Sequence, residues 1–478
     1  MKITFITPPS INGTKPAERT AGCTRVVYSM PNIYELTVAA VFEQEGYEVN
    51  CIDFILNNKT DADLNDFLST DASDCYCFWS VNLSMDADLH ALEQIRKFHP
   101  TANVLFMGPA PTYYTKNYLL DEHIIVLRGE PEISAKELLA CLEKNTDFTT
   151  IKGISFLFKG KITHNPSRAL LKNLDELPFP ARHFIEQFHF SNPKLKDSPY
   201  TTMVTSRNCP FQCIYCVPSS LTFAREIEYK KENSKKPPIS FRSVENIAEE
   251  LELLYRQGYK SIGFMDDNFI VTTKRLREIG KSLKQYNFSW GCQARADAID
   301  DEIAEILSDT GCQYVDLGVE SFNDDILKYI KKGITSEQIF EAINSLKKYK
   351  VPVKLNILIG TSPLETVESI KDTLHIAKKL KVSQVMFNIV APFPGTEFYD
   401  IAKKNNWIVG GDYVPTDVQR NSILNFPNLT SKQMERLLFW NNISFFVRPS
   451  FILFHVNKFR SFEDFKIALK ALKIKLFG

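Results

Sequence analysis

Short apolar runs alternate with amphipathic helical segments along most of this chain, and that alternation restricts it to parallel sheets covered by crossover helices. The first series comprises ITFIT, a helix from Tyr34 to Glu45, VNCIDF, CYCFWSV, a helix from Asp86 to Phe98, NVLFMG, IIVLRG and a helix from Ile133 to Lys144. The second begins with TTMVTS at 201 and runs through SIGFMD, FSWGCQA, YVDLGVES, PVKLNILIG and VSQVMFNIV, with helices such as Val244 to Gln257 and Ser336 to Tyr349 between them. The expected fold class is α/β, with a doubly wound, Rossmann-like domain over residues 1–145 and a linker over 146–195. A partial (β/α)6 barrel follows over 196–405 and a helical C-terminal segment over 406–478. The linker holds a hairpin, ISFLFKGKI, and a stretch interrupted by prolines, LDELPFPARHFI.

Lys plus Arg equals Asp plus Glu at 57 each, so no global field would hold a polyanion, and no nucleic-acid partner is expected. The start, MKITFITPPS, reads as a buried strand and its turn rather than a secretory signal. No apolar stretch reaches the roughly 18 residues of a spanning helix, so a cytoplasmic protein is expected. Ten cysteines in such a chain should be reduced thiols. Seven of them, Cys23, Cys51, Cys75, Cys77, Cys141, Cys292 and Cys312, sit in apolar patterns or loops and read as small hydrophobes.

The other three form Cys209-Pro-Phe-Gln-Cys213-Ile-Tyr-Cys216, just after a predicted strand and therefore where barrel active sites lie. Three close thiolates can hold three irons of a four-iron cluster and leave the fourth open to a ligand from outside the protein. A structural zinc site is the bland alternative, but it wants four protein ligands in paired knuckles. The C-x3-C-x2-C spacing, with an aromatic residue before the third cysteine, resembles the signature of the radical S-adenosylmethionine (AdoMet, SAM) superfamily. The resemblance implies a [4Fe-4S] cluster on Cys209, Cys213 and Cys216. It also implies that AdoMet chelates the open iron and is cleaved to methionine and a 5′-deoxyadenosyl radical.

The match runs from about 201 to 400 and implies further AdoMet contacts. Asp266 and Asp267 end the second barrel strand, where they could accept bonds from the methionine ammonium or order the neighbouring loop; a helix N-cap is the plain alternative. Glu320 resembles the glutamate of the fourth strand that binds the ribose hydroxyls or the methionine end, with helix capping at Ser321 and Asn323 as its alternative. Arg295 is a candidate for the AdoMet carboxylate, and Asn356 falls where the family packs the adenine.

A doubly wound domain ahead of such a barrel resembles the cobalamin-binding branch of the superfamily. That branch includes class B methyltransferases and the anaerobic Mg-protoporphyrin IX monomethyl ester cyclase. Pro8-Pro9, Glu45 to Val49, Asp53, Met107-Gly108-Pro109 and Arg128-Gly-Glu-Pro-Glu132 carry the likeness. It implies a corrinoid resting at the carboxyl ends of the first sheet, against Ser80 to Ser84 and Gly108 to Thr112, with Ser80, Ser84, Gly108 and Pro109 as contacts. The Asp-x-His-x-x-Gly motif that offers histidine to cobalt is absent, and a domain that binds no corrinoid is the alternative.

Residues 439–478 interleave aromatics with Arg448, Lys458, Arg460, Lys466, Lys470, Lys473 and Lys475, which suits either a helical cap on the barrel or contact with the inner face of a membrane. The expected function is reductive AdoMet cleavage followed by C-methylation of an unactivated carbon of a small apolar substrate, a lipid or a tetrapyrrole. A reducing partner such as flavodoxin or ferredoxin would supply the electron. Oxidative ring closure and a non-catalytic cobalamin sensor are the rival readings.

Overall fold

A computed structural model describes residues 1–11, 13–26, 28–185 and 190–448. The chain divides into two compact units. The first comprises residues 1–210, 216–294 and 302–314; the second comprises 211–215, 295–301 and the chain from 315 onward.

The first unit opens with five parallel strands, β1 (Lys2–Thr7), β2 (Glu48–Asp53), β3 (Cys75–Trp79), β4 (Asn103–Met107) and β5 (Ile124–Leu127), in the order β2-β1-β3-β4-β5. This is a doubly wound sheet of the flavodoxin-like order, whose direction of winding reverses between β1 and β3. Helices α1 (Ile33–Gln44), α2 (Asp61–Thr70), α3 (Met85–Phe98), α4 (Pro109–Tyr113), α5 (Thr115–Tyr118) and α6 (Glu132–Lys144) connect the strands. Strand β3 shows why the apolar run is unbroken: Cys75, Cys77 and Trp79 enter one core with α1 and α6, while Tyr76 and Phe78 enter another with α2 and α3. The hairpin expected in the linker instead extends this sheet, β6 (Ile154–Phe158) pairing antiparallel with β5 and β7 (Lys161–His164) with β6. The proline-rich remainder is no loose bridge. Arg182 pairs with Glu250 at 2.7 Å and donates to the Thr202 carbonyl at 2.8 Å.

The same unit carries β8 (Tyr200–Met203), a small antiparallel pair of β9 (Ser206–Arg207) and β10 (Ser240–Phe241), then β11 (Ser261–Phe264) and β12 (Ser289–Arg295). Strands β8, β11 and β12 pair in parallel, with α7 (Ser220–Asn233), α8 (Val244–Arg256), α9 (Thr273–Gln285) and α10 (Asp301–Asp309) following them. In the second unit, β13 (Cys312–Glu320) from Val315 onward, β14 (Val353–Ile359) and β15 (Gln384–Ile389) pair in parallel, in the register Asp316↔Lys354↔Gln384 and Gly318↔Asn356↔Met386. Helices α11 (Asp324–Tyr329), α12 (Ser336–Lys348), α13 (Val367–Lys379), α14 (Glu397–Lys404) and α15 (Ser431–Phe446) complete it. All six strands of the expected (β/α)6 series are therefore present. Alternate residues of β14 and β15 are buried apolar side chains, and those between them are half-exposed, four of them polar (Lys354, Asn356, Gln384 and Asn388) and two apolar (Leu358 and Met386).

Among the described residues no helix is long and apolar enough to cross a membrane. The basic residues from Lys458 onward lie outside the described residues.

Gly108 leaves β4 at φ +105°, and a Cβ there would stand 2.5 Å from the Ser80 carbonyl oxygen. Both the backbone angle and the contact exclude a side chain, so Gly108→Ala should cost about 2 kcal/mol or more. A thermal unfolding midpoint several degrees below the parent's is the expected result.

Candidate active site

All three motif cysteines lie in the loop between β9 and α7, and each is half-buried, whereas Cys75, Cys77, Cys292 and Cys312 are buried. Burial, with the nearby Glu18 carboxylate, pushes the Cys23 thiol up to about 12, which keeps it protonated. Cys209 and Cys216 belong to the first unit and Cys213 to the second. Among the described residues no three His, Cys, Asp or Glu side chains are already gathered as a metal site. What the structure supplies is the loop, its anchors and the charges beside it.

The anchors are the paired aspartates at the end of β11. Asp267 accepts the Ser219 N–H at 2.7 Å, the Asn208 N–H at 3.0 Å and the Thr222 hydroxyl at 2.6 Å. One carboxylate thus holds the residue before Cys209 and the residue that leads into α7. Asp266, fully buried, accepts the Thr205 N–H at 3.0 Å and the Thr205 and Ser206 hydroxyls at 2.7 Å. Burial still raises its carboxyl above the usual range. Both aspartates order the strand exit and the cysteine loop, and the cap of the next helix falls to Thr272.

Two lysines add charge. Lys236 pairs with Glu226 at 3.2 Å. Burial disfavours its ammonium, but Cys216, Glu226 and Cys209 outweigh that and hold it above its ordinary range. Within the second unit, Lys332 pairs with Glu320 at 2.8 Å, and there Glu320 and Cys213 together outweigh burial. Glu320 sits at φ +63°, and helix capping falls to Asn323, which accepts from the Asp325 and Ile326 N–H groups. Neighbouring Gly318 makes room, since a Cβ there would lie 2.8 Å from the Lys332 ammonium. Arg295 stacks its guanidinium 3.4 Å from the Phe211 ring centroid, pairs with Asp297 at 2.9 Å and donates to the Lys332 carbonyl at 2.8 Å. Asn356 lies opposite Gly318 on the polar face of β14.

At the first sheet, the Ser80 and Ser84 hydroxyls donate to Asp88 at 2.6 and 2.7 Å, and Asp88 pairs with Arg19 at 2.7 Å. Those hydroxyls are committed to an internal network rather than offered outward, and Pro109 is buried as α4 begins. A cavity of about 320 Å³ opens nearby, at the ends of β1 and β2, lined in part by Glu18, Arg19, Glu35 and Asp53. Glu35 Oε2 is buried and meets no partner, and burial raises its carboxyl to about 8. Arg19, Glu35, Asp88, Lys236 and Lys332 were not singled out from sequence. Asp88 and Glu35 sit on the inward faces of α3 and α1, and a polar residue at an apolar helix position was the signal available for both.

A family model described as the radical SAM superfamily matches residues 203–377. An uncharacterized methyltransferase from Pyrococcus horikoshii is 30% identical over 462 residues, which is 95% of this chain and 94% of the relative. The chain belongs to the radical SAM superfamily. Among solved structures, the cobalamin-dependent S-adenosylmethionine radical enzyme OxsB, with aqua-cobalamin and S-adenosylmethionine bound, shares the fold of this radical SAM chain at a TM-score of 0.72. That likeness covers 100% of this chain and 72% of OxsB at 15% identity. The radical S-adenosylmethionine methyltransferase TsrM from Kitasatospora setae shares it at 0.66, over 85% of this chain and 77% of TsrM, also at 15% identity.

Two outcomes test the site. Bonds to a half-buried carboxylate contribute about 1–2 kcal/mol each, so Asp267→Ala should free both ends of the loop and lower iron and sulfide per reconstituted chain well below that of Asp301→Ala, a surface control. For Glu35, the unfolded carboxyl ionises above its usual 4.5 while the folded one stays protonated up to about 8, so its contribution to stability falls as pH rises across that window. Glu35→Gln should unfold at the parent's temperature near pH 4 and at a higher temperature at pH 8.

Proposed function

We propose that this radical SAM chain is a cobalamin-dependent C-methyltransferase that acts on an unactivated carbon of a small molecule. The observation that carries the reading is the cysteine loop: three half-buried thiols within eight residues, with both flanks held by one carboxylate. Its donor set suits a [4Fe-4S] cluster with one open iron, and the Lys236 and Lys332 ammoniums add positive charge beside it. When bound, the cluster supplies the electron that splits AdoMet into methionine and a 5′-deoxyadenosyl radical, and the corrinoid supplies the methyl group. Whole-length likeness to the P. horikoshii methyltransferase supports methyl transfer.

The chain's own residues divide the remaining work. Glu320 and Lys332 present opposite charges 2.8 Å apart, which suits the ammonium and carboxylate of an amino-acid moiety such as the methionine end of AdoMet. Arg295, stacked on Phe211 of the cysteine loop, couples that loop to the backbone of Lys332, and Asn356 offers a carboxamide to a polar heterocycle. A corrinoid is rimmed with carboxamides, and the charged side chains in the otherwise largely apolar cavity at the ends of β1 and β2 suit such a rim. There Glu35, protonated through neutral pH, can donate and Arg19 can donate further. Gly108, Pro109, Ser80 and Ser84, at the exits of β3 and β4, would meet the corrinoid through their backbone. The electron comes from a small reducing protein such as flavodoxin or ferredoxin. The working parts are residues 1–145 with the hairpin for the corrinoid and 196–405 for the radical chemistry.

Anaerobic reconstitution with iron, sulfide and hydroxocobalamin, followed by absorption spectra and a dithionite-driven assay for 5′-deoxyadenosine, tests this. The parent should show cluster and corrinoid bands and release 5′-deoxyadenosine, while Cys213→Ala keeps the corrinoid and loses the other two. Release of 5′-deoxyadenosine by that variant would refute the cysteine assignment; a parent without corrinoid would remove cobalamin.

A further inference from the structure

Asn208 precedes the first motif cysteine in a backbone conformation that most side chains avoid, φ +75°. Asparagine is among the residues that tolerate this region, so the angle alone does not say why it is there. The side chain does. It is 1% exposed, and neither its Nδ2–H group nor its Oδ1 meets a hydrogen-bond partner. The bonds nearby do not involve it: the Thr222 hydroxyl donates to Asp267, and the Asp267 carboxylate takes Ser219, Thr222 and the Asn208 main-chain N–H rather than the Asn208 amide.

Leaving a carboxamide buried and unmade costs about 1–3 kcal/mol for each polar group, and folded chains pair more than about nine in ten of such groups. Glycine would meet the backbone requirement at this position with no amide to bury. An amide placed beside a cluster ligand, shielded from water and with no protein partner, is arranged for the group that the ligand carries. Thiolate and sulfide sulfurs accept N–H bonds, and such bonds tune the potential of an iron–sulfur centre.

We propose that the Asn208 side-chain amide donates a hydrogen bond to a sulfur of the cluster held by Cys209, Cys213 and Cys216, and thereby raises its reduction potential. This rests on the cluster reading above. Reduction adds one electron from an external donor and makes the cluster one charge more negative, so a donor aimed at its sulfur stabilises the reduced form more than the oxidised one. An acceptor in the same place does the reverse.

The test is a redox titration of the reconstituted cluster, followed by its low-temperature electron paramagnetic resonance signal, without substrate or turnover. Asn208→Gly suits the left-handed backbone and removes only the amide; Asn208→Asp keeps the shape and replaces the N–H donor by a carboxylate oxygen. The expected order of potentials is parent highest, Asn208→Gly lower and Asn208→Asp lowest, at equal iron and sulfide per chain. Coincident potentials in all three proteins, or Asn208→Asp above Asn208→Gly, would overturn the inference while leaving the cluster assignment standing. A parent that binds no iron–sulfur cluster would end both.

Discussion

A single carboxylate sets the geometry on which the chemistry of this protein depends. Asp267 leaves the end of β11 and takes up N–H groups from both sides of the cysteine loop, at Asn208 and Ser219, together with the hydroxyl of Thr222. A half-buried charge is tolerable when donors replace the water it loses, and here three do so. Because β11 pairs with β8 in parallel, the loop that follows β8 is indexed to the sheet through its neighbour rather than through its own strand alone.

Three consecutive residues then carry three different duties. Arg207 reaches the first domain, pairing with Glu130 at 2.8 Å and Glu132 at 2.6 Å, while Arg225 of α7 meets the same Glu130 at 3.0 Å. Asn208 gives its main chain to Asp267, and Cys209 is the first thiol of the motif. The Arg-Gly-Glu-Pro-Glu run read in sequence as a landmark of the corrinoid domain is thus a fastener whose carboxylates hold the residue two before the first cysteine. Arg128, at the head of that run, pairs with Glu228 of α7 at 2.9 Å and repeats the device. Removing one partner from a buried set of this kind costs about 3–5 kcal/mol, because the remaining charge has no water to return to.

The layout of strands and helices was legible because buried parallel strands leave unbroken apolar runs and surface helices leave a period near 3.6. The cysteine triad was legible because its spacing is local. The hairpin was seen, but its sheet was not, since pairing of β6 with β5 joins residues on either side of α6 and leaves no local mark. Asp266 and Asp267 were noticed without their partners being identifiable. Lys236 and Lys332 leave no mark, because a lysine in a loop looks the same in sequence whether it meets water or a buried carboxylate. Ser80 and Ser84 stand at a strand end as expected, but sequence gives no sign that Asp88, one turn into the next helix, receives both hydroxyls.

Strands β14 and β15 present Lys354, Asn356, Gln384 and Asn388 on the side away from their apolar core, and Lys354 reaches Asp316 of β13 at 3.1 Å. Polar side chains on such a face bond to water when nothing covers them, and a molecule that settled there would have to replace those bonds. A hydrocarbon of the right outline would strip the wall bare and pay about a kilocalorie or more for every amide left unmatched. Binding at those four side chains would be a matter of exchange, in which oxygen and nitrogen on a guest stand in for the water it displaces.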